Sequence, residues 1–240
     1  MIVIRIIFFI SIALHTFFCE AQETVIYNDQ PSIFYPEPYN AKKWQYSIGL
    51  TLITTPHEIT EEGQYHLPAG DFHFTGRATK KIFLEGRLRF QVLQNSFSLG
   101  LRYVIHINDR FALAIADEQA VWFGWLKAEG FNTRAYGYLN YPSISLGYST
   151  KKDLLITLKS EVLLNQYFKS FAGRNEVVSD RDFFSGFAIG LITEQPFFKE
   201  NHLSIGFRGI YTDFHWQTWV LHPTFERLIF YPEINVGFIL

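Results

Sequence analysis

The sequence predicts an all-β fold: an antiparallel up-and-down transmembrane β-barrel of about ten strands. Three observations predict it. An export leader opens the chain, and apolar and polar residues then alternate with period two almost to its end. The polar rows are filled by glycine, serine and alanine rather than by the lysine, glutamate and threonine of a water-facing sheet surface.

The leader comes first. Residues 1–21 carry one positive charge at Arg5, an apolar stretch from Ile6 to Leu14, and Cys19-Glu20-Ala21 ahead of Gln22, which puts small residues at the −3 and −1 places of a cleavage site. The apolar stretch is shorter than the ~20 residues a spanning helix needs, so a removed signal peptide is expected rather than an anchor. Phe17-Phe18 stand where a lipidation signal at Cys19 would want small residues. Met1 and Cys19 are the only sulfur residues, so a processed chain has no thiol nucleophile, disulfide or thiolate metal site. A formal net charge of −2 excludes the basic footprint of a nucleic-acid binder.

Residues 22–43 hold Pro31, Pro36 and Pro38 and read as an extended arm before the barrel, or a segment tucked against its base. The barrel domain follows over 44–240. Trp44, Tyr46, Ile48 and Leu50 alternate with Gln45, Ser47, Gly49 and Thr51. Between 80 and 92, Ile82, Leu84, Leu88, Phe90 and Val92 oppose Lys81, Glu85, Arg87, Arg89 and Gln91; between 96 and 107, Phe97, Leu99, Leu101, Tyr103 and Ile105 oppose Ser96, Ser98, Gly100 and Arg102. Further strands are expected at 111–117, 120–127, 134–148, 154–166, 182–193, 202–213 and 227–240; eight or twelve strands also fit. Long connections at 53–80, 167–181 and 214–226 fall on one end. Leu93-Gln94-Asn95, Asp117-Glu118-Gln119 and Thr150-Lys151-Lys152 make short ones on the other, and Asn108-Asp109-Arg110 is a short connection on the long-loop end. Aromatics near the strand ends suit an interface girdle: Trp44, Tyr103, Trp122, Trp125, Tyr136, Tyr138, Tyr167, Tyr211, Trp216, Trp219 and Tyr231. A soluble β-protein whose apolar faces pack together is the rival architecture.

Ile234-Asn235-Val236-Gly237-Phe238-Ile239-Leu240 has the alternating apolar residues and near-terminal aromatic of an insertion-signal strand. With this pattern the chain resembles the small outer-membrane β-barrel proteins of Gram-negative bacteria, porin-like barrels included, from about Trp44 to Leu240. Many members end on Phe where this chain ends on Leu240. The resemblance implies a cell outer-membrane location reached through the signal peptide, with contacts to outer-membrane lipid and lipopolysaccharide. Arg77, Lys80 and Lys81 are basic residues for its phosphates. Envelope protein partners would meet the outer loops 53–80 and 167–181 or the arm 22–43. No cofactor is expected.

Inward positions collect Glu85, Arg87, Arg89, Arg102, His106, Lys159, Glu161, Arg208, Arg227 and Glu233. Charges in a narrow lumen need partners, so an internal ion-pair network is expected, giving a structural or interaction component of the envelope. A narrow channel for small solutes, anionic ones given the arginines, is an alternative. A second is a lipid-modifying hydrolase. His202-Leu203-Ser204 puts an imidazole and a hydroxyl on one strand face, similar to the His-x-Ser pair of outer-membrane lipid A deacylases, although Asp213 falls on the opposite face and this register points the pair into the lumen. His66, Asp71 and His73 in the first loop have ligand types that suit a divalent metal.

Overall fold

The computed structural model describes residues 31–37, 44–60, 63–128, 130–150, 154–177, 181–198, 201–221 and 227–240; the expected leader and most of the expected arm lie outside them. Eleven strands follow in order: β1 Trp44–Thr54, β2 His66–Arg77, β3 Ile82–Phe90, β4 Gln94–Asn108, β5 Phe111–Ala128, β6 Phe131–Ser149, β7 Leu155–Ala172, β8 Asn175–Val177, β9 Phe184–Phe198, β10 Asn201–Thr212 and β11 Ile229–Ile239. Ten of them form an antiparallel ring in chain order, with β7 beside β9 and β11 returning to β1 from Ser47 opposite Ile239 to Ile53 opposite Glu233. The short β8 folds back on the end of β7. The only α-helix among the described residues, α1 (His57–Thr60), is one turn long, and none of their helices could cross a membrane.

Closure pairs each of the ten ring strands on both sides, so the ring has no free sheet edge. The end holding Trp44 and Leu240 is here termed the base. Its connections are short, whereas the far end carries the long ones, at 55–65, 173–183 and 213–228. Gly130 and Gly173 turn two far-end hairpins at φ +82° and +62°, which a side chain would strain.

The expected count of ten holds, but two elements differ. β2 lies within what reads as the first loop, and the expected strands 111–117 and 120–127 are one strand, β5, with Asp117-Glu118-Gln119 in its middle. β3 and β4 therefore run opposite to the expected sense: the turn around Leu93 lies at the far end and Asn108-Asp109-Arg110 at the base. Arg77, Lys80 and Lys81 sit at the base as well, away from the long connections.

Period-two alternation translates directly into burial. Ser96, Ser98 and Arg102 of β4 are buried while Phe97, Leu99 and Leu101 between them are exposed; β11 does the same from Phe230 to Phe238. The outer surface is thus a band of large apolar side chains, with Leu50 65% exposed. Trp44, Tyr46, Phe111 and Tyr148 lie toward the base and Trp125, Tyr136, Tyr167 and Tyr211 toward the far end. Four expected girdle aromatics, Trp122, Trp216, Trp219 and Tyr231, instead turn inward and are buried. Mid-height on the outer face of β5 and β6 the band is interrupted: the Asp117 carboxylate accepts from Gln119 (2.9 Å) and Asn140 (2.5 Å), and Tyr138 donates to Gln119 (2.5 Å).

Candidate functional site

The site the fold builds is the lumen. Inward positions of β2, β3, β7, β10 and β11 bring their charges into one circuit. Arg87 binds Asp71 through two bonds, Nε to Oδ1 at 2.9 Å and Nη2 to Oδ2 at 2.5 Å, while Thr51 donates to the same carboxylate and His73 Nε2 stands 3.1 Å from it. Glu233, fully buried, faces Arg89 at 3.3 Å, Arg208 at 3.5 Å and Arg87 at 3.8 Å. Arg208 reaches on to Glu161 (2.5 Å), which also holds Lys159 (2.8 Å). On β3 and β4, Arg102 Nε donates to Glu85 at 2.9 Å. Each charge of this circuit has a counter-charge, which is the condition for holding so many in so small a space.

With His106 paired to Glu37 at the base, eight of the other nine expected lumen charges therefore meet there: Glu85, Arg87, Arg89, Arg102, Lys159, Glu161, Arg208 and Glu233. Arg227 does not. It precedes β11, and its side chain is exposed at the far rim, 3.9 Å from Glu58. Three members escaped the sequence reading, Asp71, His73 and Glu118, all placed in connections when they are inward strand residues. What remains between these groups is a cavity of about 60 Å³, lined by Glu118, Tyr141, Arg87, Arg208 and Glu233 among others. At roughly 10–15 Å³ per water, that is space for a handful of waters.

At the base the lumen is filled by residues 31–37. The main-chain N–H groups of Ile33, Phe34 and Tyr35 donate to the two oxygens of Glu194 at 2.7, 3.1 and 2.8 Å, and Arg102 donates to the carbonyls of Ile33 and Tyr35, both at 3.1 Å. Gln45 accepts from the Ser32 N–H at 3.0 Å, and His106 meets Glu37 at 2.9 Å. Tyr35 is fully buried beside Ala112 and Leu155, in a slot that exists because residue 147 is glycine: a Cβ there would lie 2.5 Å from Tyr35 and Pro36.

The far end is closed by residues 214–221. Trp216 and Trp219, in the 3₁₀ segment Trp216–Leu221, pack down into the ring instead of outward. Trp219 Nε1 donates to Gln94 (2.9 Å), whose amide donates to the Gln217 carbonyl (2.8 Å), and the indole occupies the space above Gly124. Trp122, Phe168, Phe214 and Trp216 form one ring cluster, with Arg89 over Trp216 at 5.1 Å and Arg181 over Phe214 at 4.6 Å. His215, just beyond β10, accepts from the Gln217 N–H (3.2 Å); burial, with Arg89 and Arg208 adding, holds its pKa well below the ordinary imidazole value.

His202 and Ser204 face the lumen near the base, both buried, and Ser204 Oγ donates to the Gly237 carbonyl at 3.1 Å. The first-loop metal set separates. His66 lies at the far rim against Thr54, whereas Asp71 and His73 are inward on β2 with the Arg87 guanidinium already on the carboxylate, where a cation would be repelled. No group of three or more potential metal ligands occurs among the described residues.

No family model matches the sequence, and no curated protein matches it. Solved structures do. The chain is similar to Neisserial surface protein A (13% identity, 83% of this chain and 97% of that one, TM-score 0.35). It is also similar to the translocator domain of the autotransporter NalP from Neisseria meningitidis (10% identity, 82% and 88%, TM-score 0.43) and to the NanC porin (6% identity, 80% and 98%, TM-score 0.43).

Proposed function

We propose that the chain is an integral outer-membrane β-barrel serving as a closed, non-enzymatic scaffold, which holds its far-end connections at the cell surface for contact with other envelope molecules. The observation that carries this reading is the filled lumen: interior charges neutralise one another, and a separate segment caps each end. The apolar outer band between two aromatic girdles supports a membrane setting, and long connections on one end only support an orientation with the base in the periplasm. Exposed Lys127 and Arg134, beside the far girdle, would supply cations to lipopolysaccharide phosphates. An anion channel is disfavoured because the lumen arginines are spent on carboxylates, and a hydrolase because the Ser204 proton is committed to a main-chain carbonyl.

The test is solute retention by vesicles carrying the purified full chain, with heat-modifiable gel mobility verifying that the barrel has inserted and closed. Vesicles that stay tight to small anions and show no conductance steps in planar bilayers are expected. Stepwise conductance from inserted protein would overturn the closed scaffold in favour of a channel.

A further inference from the structure

We propose that the base mouth of the lumen is a binding site for peptide main chain, filled here in cis by residues 31–37 and able to release that segment and take it back. The site reads backbone. Six consecutive or near-consecutive main-chain groups are engaged by three side chains: Glu194 takes the N–H groups of 33, 34 and 35, Arg102 the carbonyls of 33 and 35, and Gln45 the N–H of 32. Three successive N–H groups turned toward one point make a concave anion seat, and a carboxylate fills it with charge-assisted bonds. Side-chain recognition is concentrated in Tyr35, which enters the Gly147 slot.

Three features make the occupant separable from the wall that holds it. The ring closes from β1 to β11 without any ladder bond from residues 31–37, so their departure opens no strand pairing. Arg102 keeps Glu85 as its partner whether or not the segment is present. Glu194 is different: among the described residues, the hydrogen bonds to its fully buried carboxylate come from this segment, so departure exchanges them for water and leaves a charged, hydrated seat ready for the next main chain. Seven peptide steps separate Glu37 from Trp44, a reach of about 23 Å at full extension, which lets the segment clear the mouth while still attached.

The test places a reporter behind the segment. Gly190 lines the cavity, and a Cβ there would be in ordinary contact, 3.5 Å from its nearest neighbour, so Gly190→Cys fits the wall. In the full chain with Cys19→Ser, reconstituted in vesicles, labelling of that thiol by a small charged reagent measures opening. Gly147→Val, whose nearest clashes are with Tyr35 and Pro36, and Glu194→Ala should each raise the labelling rate at least tenfold. A chain lacking 31–37 should label as fast, and a synthetic peptide of residues 30–38 should slow it again unless Glu194→Ala is also present. Equal rates in all chains would overturn the seal, and a peptide without effect would overturn the binding site. If Gly147→Val fails to give the folded, heat-modifiable form, the Glu194→Ala and peptide comparisons decide. Conductance is expected in none of these chains, since the far-end cap is intact, so failure here is distinguishable from failure of the closed-scaffold reading.

Discussion

Glu233 on the last strand and Arg89 on the third meet at 3.3 Å across the lumen, spanning the two strands that separate them in the wall. This pair cross-braces the ring. Glu233→Gln would leave Arg87, Arg89 and Arg208 facing one another with one carboxylate fewer, an uncompensated buried charge worth about 3–5 kcal/mol. The folded, fast-migrating gel form should convert at a clearly lower temperature than wild type, and an unchanged conversion temperature would show that the three guanidiniums find other partners.

Two caps in series predict non-additive opening. Removing residues 31–37 alone, or Trp216→Ala with Trp219→Ala alone, leaves one end shut; all three changes together should give measurable single-channel conductance. Burial of each indole is worth about 4 kcal/mol before ordering costs, enough to keep the far cap seated when the base is vacated. Conductance from either single-end variant would show that the other end is not a seal.

His215 predicts a pH dependence with a definite sign. In the folded chain burial and two nearby guanidiniums keep the imidazole neutral, whereas in the unfolded chain it takes up a proton near its ordinary value of about 6.5. Its contribution to stability is therefore complete above that value and declines as the pH falls below it. In His215→Gln the difference in urea midpoint between pH 7.5 and pH 5 should shrink, and an identical difference would exonerate His215.

On the outer face, Asn140→Leu should destabilise the barrel in a bilayer by about 1–2 kcal/mol, because the Asp117 side chain stays in an apolar band with one donor lost. Asp117→Leu with Asn140→Leu should recover wild-type stability or exceed it. Thermal midpoints in lipid vesicles would separate these outcomes, and a double variant weaker than the single one would contradict the reasoning.

The faces of the strands were legible where side chains alternate in kind. β4 and β11 are cases in which the rows read from the sequence are the rows observed. β2 was not legible, because its outward row runs His66, Pro68, Gly70, Phe72, Phe74, Gly76 and carries little apolar signal of its own. Neighbouring rings supply the missing surface: Phe90 covers Gly70 and Trp44 covers Gly76. Asp117-Glu118-Gln119 read as a turn for a related reason, since two outward polar residues flank an inward carboxylate in mid-strand. These two departures cancelled in the strand count. The lumen charges were mostly legible by parity, and the prolines of 22–43 allowed a segment tucked against the base, but no periodicity in 31–37 or 214–221 reports that a segment will enter the ring.

The pairing of Ser47 with Ile239 also dictates an order of events in time. The first strand of the ring finds its partner only when β11 has been made, so no shorter run of the ring's strands can close. Until then both terminal strands present bare edges that invite pairing with any other chain. Such a contact, joining the first and last strands of the ring, is slow to form unaided. Biogenesis must therefore keep a complete but unclosed sheet from aggregating, and quality control has one late event to inspect: whether the last strand has reached the first.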